Sequence, residues 1–221
     1  MADGVWAEST WTRLTPDLDY SGPMENTSGQ EYTDRLAGLA DARWKQVLSV
    51  QAPYRWNIRR LGPGRTLDVG CGIGRNLAHL DDAVGVDHNP TSIEVARERG
   101  LRAWTSEQWP TCPDAVPESF DTILLAHVLE HLDEGTGDAV ITSYLPYLRP
   151  AGRLILICPQ ERGYRTDPTH VRFLDLDALR ATGRRLGFVP ERSFSFPFPR
   201  AAGKAFAYNE FVVVAGRPDP S

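Results

Sequence analysis

The sequence lacks several features that would assign it to a membrane or to nucleic acid. No apolar run approaches the ~18 residues that a membrane-spanning helix requires. The opening stretch MADGVWAEST has neither the basic start nor the apolar core of a signal peptide. No run of lysine and arginine stands out, and the formal net charge is −5. We therefore expect a cytoplasmic protein that neither inserts into a membrane nor binds DNA through clustered positive charge.

Cysteine is also scarce in this chain. The three cysteines, Cys71, Cys112 and Cys158, are an odd number and lie far apart, which favours reduced thiols over a disulfide framework. The 221 residues, 41% hydrophobic and 24% charged, are enough for one large domain with a full core. Scarce cysteine and this balance fit a globular protein whose core, not its disulfides, holds the fold.

The first 60 residues differ in pattern from the remainder. Residues 1–30 carry Pro, Gly, Ser, Thr and Asn without an apolar period and predict an extended arm. From residue 30 to about 61 apolar residues recur at three- and four-residue steps, which indicates helix. We predict that Trp44 and Trp56 anchor this segment in the core. The expected organisation is an N-terminal arm with lid helices, residues 1–60, followed by a main domain, residues 61–221.

The main domain alternates short β-rich runs with helical stretches, which predicts an α/β fold with a parallel sheet covered on both faces. Two further runs near the end, VPERSFSFPFP and EFVVVAG, follow each other without a helix and predict an antiparallel pair at one edge. The other five predicted strands are RTLDV, AVGVD, RAWTS, FDTILLA and RLILIC. Helices are expected at NLAHL, SIEVARERG, the segment from about His127 onward, DAVITSYLPYL and LDALRATGRRLG.

A glycine-rich turn, LDVGCGIGRN at residues 67–76, follows the first of these strands. Glycines there let the backbone approach a ligand, and the following helix start offers unpaired N–H groups. The next strand ends at Asp87, about 20 residues after Asp68, where an acid can accept both hydroxyls of a ribose. The turn and the acid together predict a nucleotide-like ligand.

Two details of the turn select the ligand. The dinucleotide pattern GxGxxG, counted from Gly70, requires glycine where the chain has Arg75, which disfavours a nicotinamide oxidoreductase. Asp68 would repel a pyrophosphate, but it suits a ligand with a positively charged end. S-adenosylmethionine (SAM) carries an ammonium and a sulfonium, so it fits both details.

The chain resembles the class I SAM-dependent methyltransferases in LDVGCGIG, GVDHN, FDTILLAHVLEHL, GRLILICP and the closing strand pair. The resemblance covers about residues 61–216. It implies a Rossmann-like seven-stranded, mostly parallel sheet with helices on both faces and an antiparallel last strand. It also implies SAM as the cofactor. Its contacts would be Asp68, Gly70, Cys71, Gly72 and Gly74 along the methionine part, Asp87 at the ribose, His88, Ser106 and Glu107 at the adenine, and Ala126 and His127 near the sulfonium.

The stretch HVLEH raises the question of how the methyl acceptor is activated. An alcohol is a poor acid, so an O-methyltransferase needs a base or a metal. If a helix begins just after the fourth strand, His127, Glu130 and His131 share one face of it. His170 follows the fifth strand and reaches the same edge of the sheet. We therefore predict Glu130, His131 and His170 as the catalytic residues.

Three interpretations of this cluster stay open. The small-RNA 2′-O-methyltransferases bind a divalent ion through an acid, a Glu-His pair and a distant histidine, and HVLEH with His170 resembles that set. On this interpretation His127, Glu130, His131 and His170 bind a divalent metal such as Mg²⁺ or Mn²⁺. Ubiquinone-pathway O-methyltransferases also carry LEH here, and in many relatives this stretch only caps a helix or packs beside the cofactor. A third interpretation makes His131 or His170 a metal-free general base.

The acceptor is predicted from a second resemblance. The lead-in APYRWNIRRL and the late stretch KAFAYNEF are similar to the sugar O-methyltransferases of methylmannose polysaccharide synthesis. This implies a small-molecule or oligosaccharide acceptor whose hydroxyl is methylated. The alternatives are N- or C-methylation of a natural-product or quinone-like ring, and a non-catalytic SAM-binding regulatory protein. The late insertion is also compatible with a homodimer.

Overall fold

The computed structural model describes residues 52–218, which form a seven-stranded sheet with helices packed on it. The strands are β1 (Thr66–Val69), β2 (Ala83–Asp87), β3 (Ala103–Thr105), β4 (Phe120–Ala126), β5 (Leu148–Pro159), β6 (Val189–Phe196) and β7 (Glu210–Gly216). The helices are α1 (52–60), α2 (Pro90–Glu98), α3 (Glu134–Tyr144), α4 (Glu161–Tyr164) and α5 (Leu176–Arg185). No helix in this range is long and apolar enough to span a bilayer.

The strand order is β3-β2-β1-β4-β5-β7-β6. The first five strands pair in parallel, whereas β7 lies between β5 and β6 and is antiparallel to both. The prediction of a seven-stranded, mostly parallel sheet with a reversed last strand is confirmed. Because β1 and β4 are neighbours in space but not in sequence, the carboxyl ends of β1 and β4 flank a crevice where such sheets bind ligands.

The apolar runs of the central strands fill the core on both faces of the sheet. Along β5, Leu154 and Leu156 pack in the cluster that includes α3 and α5, whereas Ile155 and Ile157 pack in the cluster that includes α1. This alternation follows from the two-residue period of a strand. Each fully buried side chain of this size contributes about 1.5–3 kcal/mol relative to its exposed state. Layers on both faces therefore hold the carboxyl edge of the sheet rigid.

Side-chain caps decide where the helices begin. The Asn89 side chain accepts hydrogen bonds from the N–H groups of Thr91 and Ser92, and Pro90 occupies the first helical position of α2. Asp175 caps α5 in the same manner. The predicted helix at NLAHL is only a 3-10 turn at Leu77–His79, whose preceding residue provides no side-chain cap.

Helix α1 joins the core through one face only. Ile58 and Leu61 are buried against β5 and β7, as the helical pattern predicts. The prediction that Trp56 is a core residue is wrong, because its side chain is 58% exposed. It stacks on Phe196 at the surface, and the Arg60 guanidinium lies 4.5 Å from its ring centre. Trp44 and the predicted arm lie outside the described residues.

The stretch after β4 does not form the predicted helix. His127 has a φ of +61°, in the left-handed region, and the next turn is a 3-10 helix at Leu129–His131. The α-helix α3 begins only at Glu134, because the Asp133 side chain caps it by accepting from the Thr136 N–H. His127, Glu130 and His131 therefore do not share a helix face, and their positions depend on this irregular turn.

Candidate functional site

The glycine loop is fixed by backbone contacts at the carboxyl end of β1. The N–H groups of Gly70 and Cys71 both donate to the Val86 carbonyl, at 2.8 and 3.1 Å. Gly70 has a φ of +75°, and a Cβ there would lie 2.4 Å from Val128 Cγ2. Glycine is therefore required at this position both by its dihedral angle and by the close approach of the turn after β4.

Asp87 ends β2 and holds the same loop from the other side. Its Oδ2 accepts from the Gly72 N–H at 2.8 Å, and its Oδ1 accepts from the Asn89 N–H at 2.9 Å. Each carboxylate oxygen keeps a second lone pair, so the group can still accept hydroxyl protons from a ligand. The carboxylate thus orders the loop and presents acceptors at the edge of the crevice.

Asp68 is a buried acid without a hydrogen-bond partner. Its side chain is 1% exposed, and neither carboxylate oxygen has a partner among the described residues. Burial raises the pKa of Asp68 to about 7; the nearby Asn76 side chain opposes this shift, and the Asp87 carboxylate adds to it. Burying an unpaired acid is costly, and a cationic ligand group bound beside it would offset that cost. The residues therefore fit a ligand that carries a cationic group, as SAM does.

One pocket connects the glycine loop to the turn after β4. Among the predicted site residues, those that line it are Gly70, Gly72, Asp87, His88, Ser106, His127 and His131. Sequence reasoning missed the apolar wall formed by Val128, Leu132, Val140 and Tyr144. Asp68, Cys71, Gly74, Glu107 and Ala126 do not line it, and Glu107 is exposed on the surface. The pocket therefore places His131 beside the predicted SAM-binding groups.

Three predicted residues converge, and one of them, His131, lines this pocket. One ligand atom from each of Glu130, His131 and His170 lies within 4.8 Å of the other two. The two imidazole rings have centroids 4.7 Å apart. The carboxyl group of Glu130 is fully buried, and its Oε1 has no hydrogen bond of good geometry. Two imidazoles and one carboxylate are a set that suits a divalent transition metal.

Backbone carbonyls determine which ring nitrogens carry protons. His170 Nδ1 lies 2.7 Å from the Tyr164 carbonyl, which only accepts, so Nδ1 donates. His131 Nδ1 lies 3.3 Å from the Thr169 carbonyl and donates there in the same way. When a ring donates through Nδ1 in this way, Nε2 of its neutral form keeps a lone pair. Burial lowers the pKa of His131 and favours its neutral form. His131 therefore offers an acceptor nitrogen beside the Glu130 carboxylate.

His127 lies beside this cluster, between two glutamates. Its Nε2 lies 2.8 Å from Glu210 Oε1, and its Nδ1 lies 3.3 Å from Glu130 Oε1. Although the His127 side chain is 46% exposed, the surrounding protein opposes the charged ring; the Glu130 and Glu210 carboxylates outweigh this and raise the pKa of His127 to about 10. Burial by itself would raise the pKa of Glu130, yet His127 holds it below its usual value. A protonated His127 has no lone pair for a metal.

Glu210 contacts the predicted site residue His127, and sequence reasoning missed it. It begins β7, and its side chain is only 12% exposed. A usable signal was present, since a glutamate directly before the apolar run FVVVA is unusual at the start of a buried strand. Because Glu210 lies 83 residues from His127 in the chain, the sequence alone did not indicate that the two residues pair.

Comparison with known proteins agrees with this geometry. Residues 67–154 match the family model described as a methyltransferase domain. A curated relative, the ubiquinone biosynthesis O-methyltransferase of Xanthomonas euvesicatoria, is 30% identical over 145 residues, which are 58% of this chain and 60% of that protein. Hemagglutinin 1 of Eikenella corrodens is 27% identical over 138 residues, 58% of this chain and 44% of that protein. The chain thus spans less than two thirds of the length of both relatives.

Solved structures resemble the fold more completely. Magnesium protoporphyrin IX methyltransferase from Synechocystis, solved with bound S-adenosylhomocysteine (SAH), has a TM-score of 0.60 at 18% identity, and the match covers 87% of this chain and 97% of that one. A SAM-dependent methyltransferase from Archaeoglobus fulgidus has a TM-score of 0.59 at 18% identity, with 74% and 93% covered. The fold is that of the class I SAM-dependent methyltransferases. The family model matches residues 67–154 of this chain, from β1 into β5.

Proposed function

We propose that the protein is a SAM-dependent O-methyltransferase that acts on a hydroxyl of a small acceptor with two neighbouring oxygens, such as a sugar. The observation that carries this proposal is the shared pocket. It brings the glycine loop and Asp87 together with His131, which belongs to the Glu130–His131–His170 cluster. A group that binds SAM and a group that can activate a hydroxyl would then face the same space.

The SAM-binding half is assigned to residues of β1, β2 and β3. The unpaired Asp68 carboxylate would bind the ammonium, and Asp87 would accept the ribose hydroxyls. His88 and Ser106 line the pocket beyond Asp87 and would contact the adenine. When bound, SAM supplies an electrophilic methyl carbon. The task left to the protein is to align the acceptor with that carbon and to exclude water.

The cluster would bind a divalent ion that lowers the pKa of the acceptor hydroxyl. The support is chemical, because three acceptor atoms converge and one of them, Glu130 Oε1, is buried without a good hydrogen bond. Imidazole nitrogen suits Mn²⁺, Fe²⁺ or Zn²⁺ better than Mg²⁺, which prefers oxygen. The proposed ligands are Glu130, His131 and His170. His127, which the sequence predicted as a fourth ligand, is left out of this set. If no ion binds, His170 Nε2 would serve as the general base.

A sugar acceptor fits this ion because vicinal hydroxyls can bind one cation together. The resemblance of APYRWNIRRL and KAFAYNEF to the methylmannose enzymes supports a methylated mannoside as the first candidate. A second candidate is a phenolic ring with adjacent oxygens. It is favoured by the 30% identical relative, which is a ubiquinone biosynthesis O-methyltransferase.

The ribose assignment predicts that Asp87→Ala weakens SAM binding by about 10- to 100-fold, because hydrogen bonds to a charged group contribute about 1.5–3 kcal/mol. The variant also loses the acceptor for the Gly72 N–H. Isothermal titration with SAM measures the change. Asp177→Asn, a change at a surface carboxylate that is 88% exposed, is the control and should bind as the wild type does. Equal binding by Asp87→Ala would remove Asp87 from the cofactor site.

The acceptor and the ion are tested together in one assay. Purified enzyme is stripped with EDTA and supplied with SAM, then incubated with a panel of mannosides, other sugars and phenols. We expect methyl ether products by mass spectrometry and at least about a tenfold gain when Mn²⁺ is restored. Full turnover of the stripped enzyme would assign the reaction to a histidine base. An N- or C-methylated product would contradict O-methylation, and SAM binding without any product would indicate a regulatory protein.

A further inference from the structure

Glu130 has a buried carboxylate whose direction must be fixed from outside the cluster. Its Oε2 accepts from the Cys158 thiol at 3.4 Å, and its Oε1 faces His170 Nε2 at 4.0 Å. A thiol is a weak donor and cannot by itself hold a buried carboxylate in one orientation. The backbone carbonyl of Glu130 accepts from the N–H of Val171, but that contact does not set the direction of the carboxylate. A further anchor is therefore needed.

We infer that Glu210 is a positioning residue, which holds His127 so that the His127 ring fixes the Glu130 carboxylate toward His131 and His170. The inference rests on the proposed function of that cluster. The contacts run in one line, since Glu210 Oε1 lies 2.8 Å from one ring nitrogen of His127 and Glu130 Oε1 lies 3.3 Å from the other. The His127 ring therefore lies between the two carboxylates and contacts both.

The backbone of His127 supports a positioning role. Its φ of +61° is unfavourable for a residue with a Cβ and costs of order 1 kcal/mol or more. The N–H of His127 still donates to the Ile157 carbonyl at 2.9 Å, so the residue is locked between β4 and the turn. This conformation turns the ring toward both glutamates. Strain that is retained at such a place is consistent with a constraint imposed by the site.

Glu210 is itself held by a buried amide network. The Gln160 side-chain NH₂ donates to the Glu210 carbonyl at 2.9 Å and to Ser195 Oγ at 2.9 Å. The side chain of Asn209 donates to Gln160 Oε1 at 3.1 Å. Both amides are fully buried. This network fixes the backbone at the start of β7, from which the Glu210 side chain projects.

Glu210 makes the shorter of the two contacts with the His127 ring, at 2.8 Å against 3.3 Å for Glu130. The His127 side chain is 46% exposed, so packing alone does not hold the ring. Loss of the Glu210 carboxylate would leave the ring in contact with Glu130 alone and free to shift. Removing an outer partner of a ligating group commonly costs about 10- to 100-fold in metal affinity or activity.

The test is Glu210→Gln, which keeps the size of the side chain and removes its charge. We expect Mn²⁺ affinity, measured by electron paramagnetic resonance, and kcat to fall by about 10- to 100-fold. The Kd for SAM and the KM for the acceptor should change less than about threefold, because Glu210 does not line the pocket. Glu94→Gln, an exposed glutamate on α2, is the matched control.

Two further measurements separate the possible failures. Glu210→Asp retains the charge and should recover part of kcat relative to Glu210→Gln, which a purely structural role would not produce. Wild-type Mn²⁺ affinity and kcat in Glu210→Gln, together with loss of both in Glu130→Gln, would overturn the role of Glu210 alone. Full activity of Glu130→Gln would instead contradict the proposed function of the cluster.

Discussion

Asp68→Asn is expected to stabilise the ligand-free protein while weakening SAM binding. Within residues 52–218 the buried wild-type carboxyl has no hydrogen bond of good geometry, and burial raises its pKa to about 7 from an ordinary value of 3.8. The unfolded chain ionises this group near its ordinary pKa, whereas the folded chain resists ionisation up to about pH 7. Asp68 therefore lowers the free energy of unfolding progressively between those two values, and fully above them.

The size of the effect follows from the pKa difference. The interval from 3.8 to about 7 is worth up to about 4 kcal/mol at about 1.4 kcal/mol per pH unit. We expect Asp68→Asn to exceed the wild type in free energy of unfolding by up to that amount at pH 8. The gain should shrink as the pH falls toward 4, because the wild-type carboxyl is then protonated in both states. Urea denaturation without ligand at pH 5 and at pH 8 measures the trend.

The same substitution should remove the partner of the SAM ammonium. We expect the affinity for SAM to fall by about 10- to 150-fold at pH 8, because a hydrogen bond to a charged group contributes about 1.5–3 kcal/mol. Isothermal titration measures this, with Asp177→Asn as the exposed control. Unchanged affinity would show that Asp68 faces no cation. A variant less stable than the wild type at pH 8 would contradict the cost assigned to the buried acid.

His170→Ala is expected to reduce kcat by about 100- to 10,000-fold, whether the histidine binds the ion or acts as a base. Its Nε2 is the lone pair that faces Glu130, while its Nδ1 is held by the Tyr164 carbonyl. Because His170 does not line the pocket with the glycine loop, the Kd for SAM should stay within about twofold. Steady-state kinetics with a methylated product as the readout, alongside SAM titration, separates these two effects.

His79→Ala is the matched control for this experiment. His79 lies in a 3-10 turn, where its ring lines a pocket with Arg55 and Arg59, separate from the one described above. The contact with Arg59 uses the His79 backbone carbonyl, which alanine keeps. Normal turnover by His170→Ala would place the methyl-transfer chemistry elsewhere. Equal losses in both variants would point to a general effect of removing histidine on the fold.

The sheet was predictable because its signals are local. Each parallel strand is an apolar run buried on both faces, and such runs stand out between helical stretches. Glycine turns and acids at strand ends are likewise tied to a single place in the chain. The turn after β4 was not predictable in this way, because a left-handed His127 and a helix delayed to Glu134 depend on the Asp133 cap and on packing against Gly70.

The sequence indicated which residues form the cluster better than it indicated which residues contact them. Glu130, His131 and His170 do come together, because the carboxyl ends of β4 and β5 meet at one edge. The role of His127 could not be foreseen from HVLEH, since its ion pair with Glu210 depends on the register of β7 beside β5. Long-range partnerships of this kind require the strand order, which one sequence does not contain.

The reversed direction of β7 has a consequence for how acceptor selectivity can change. Because Glu210 pairs with Pro159 and Phe196, the start of β7 and the end of β6 both lie at the carboxyl edge of the sheet. The connection between them, residues 197–209, therefore lies beside the proposed methyl-transfer site. The glycine loop and Asp87 lie on the other side of the crevice. Evolution or protein engineering can lengthen or exchange this connection without altering the pairing of the parallel strands. The fold thus separates a part that can diversify from a part that must stay constant.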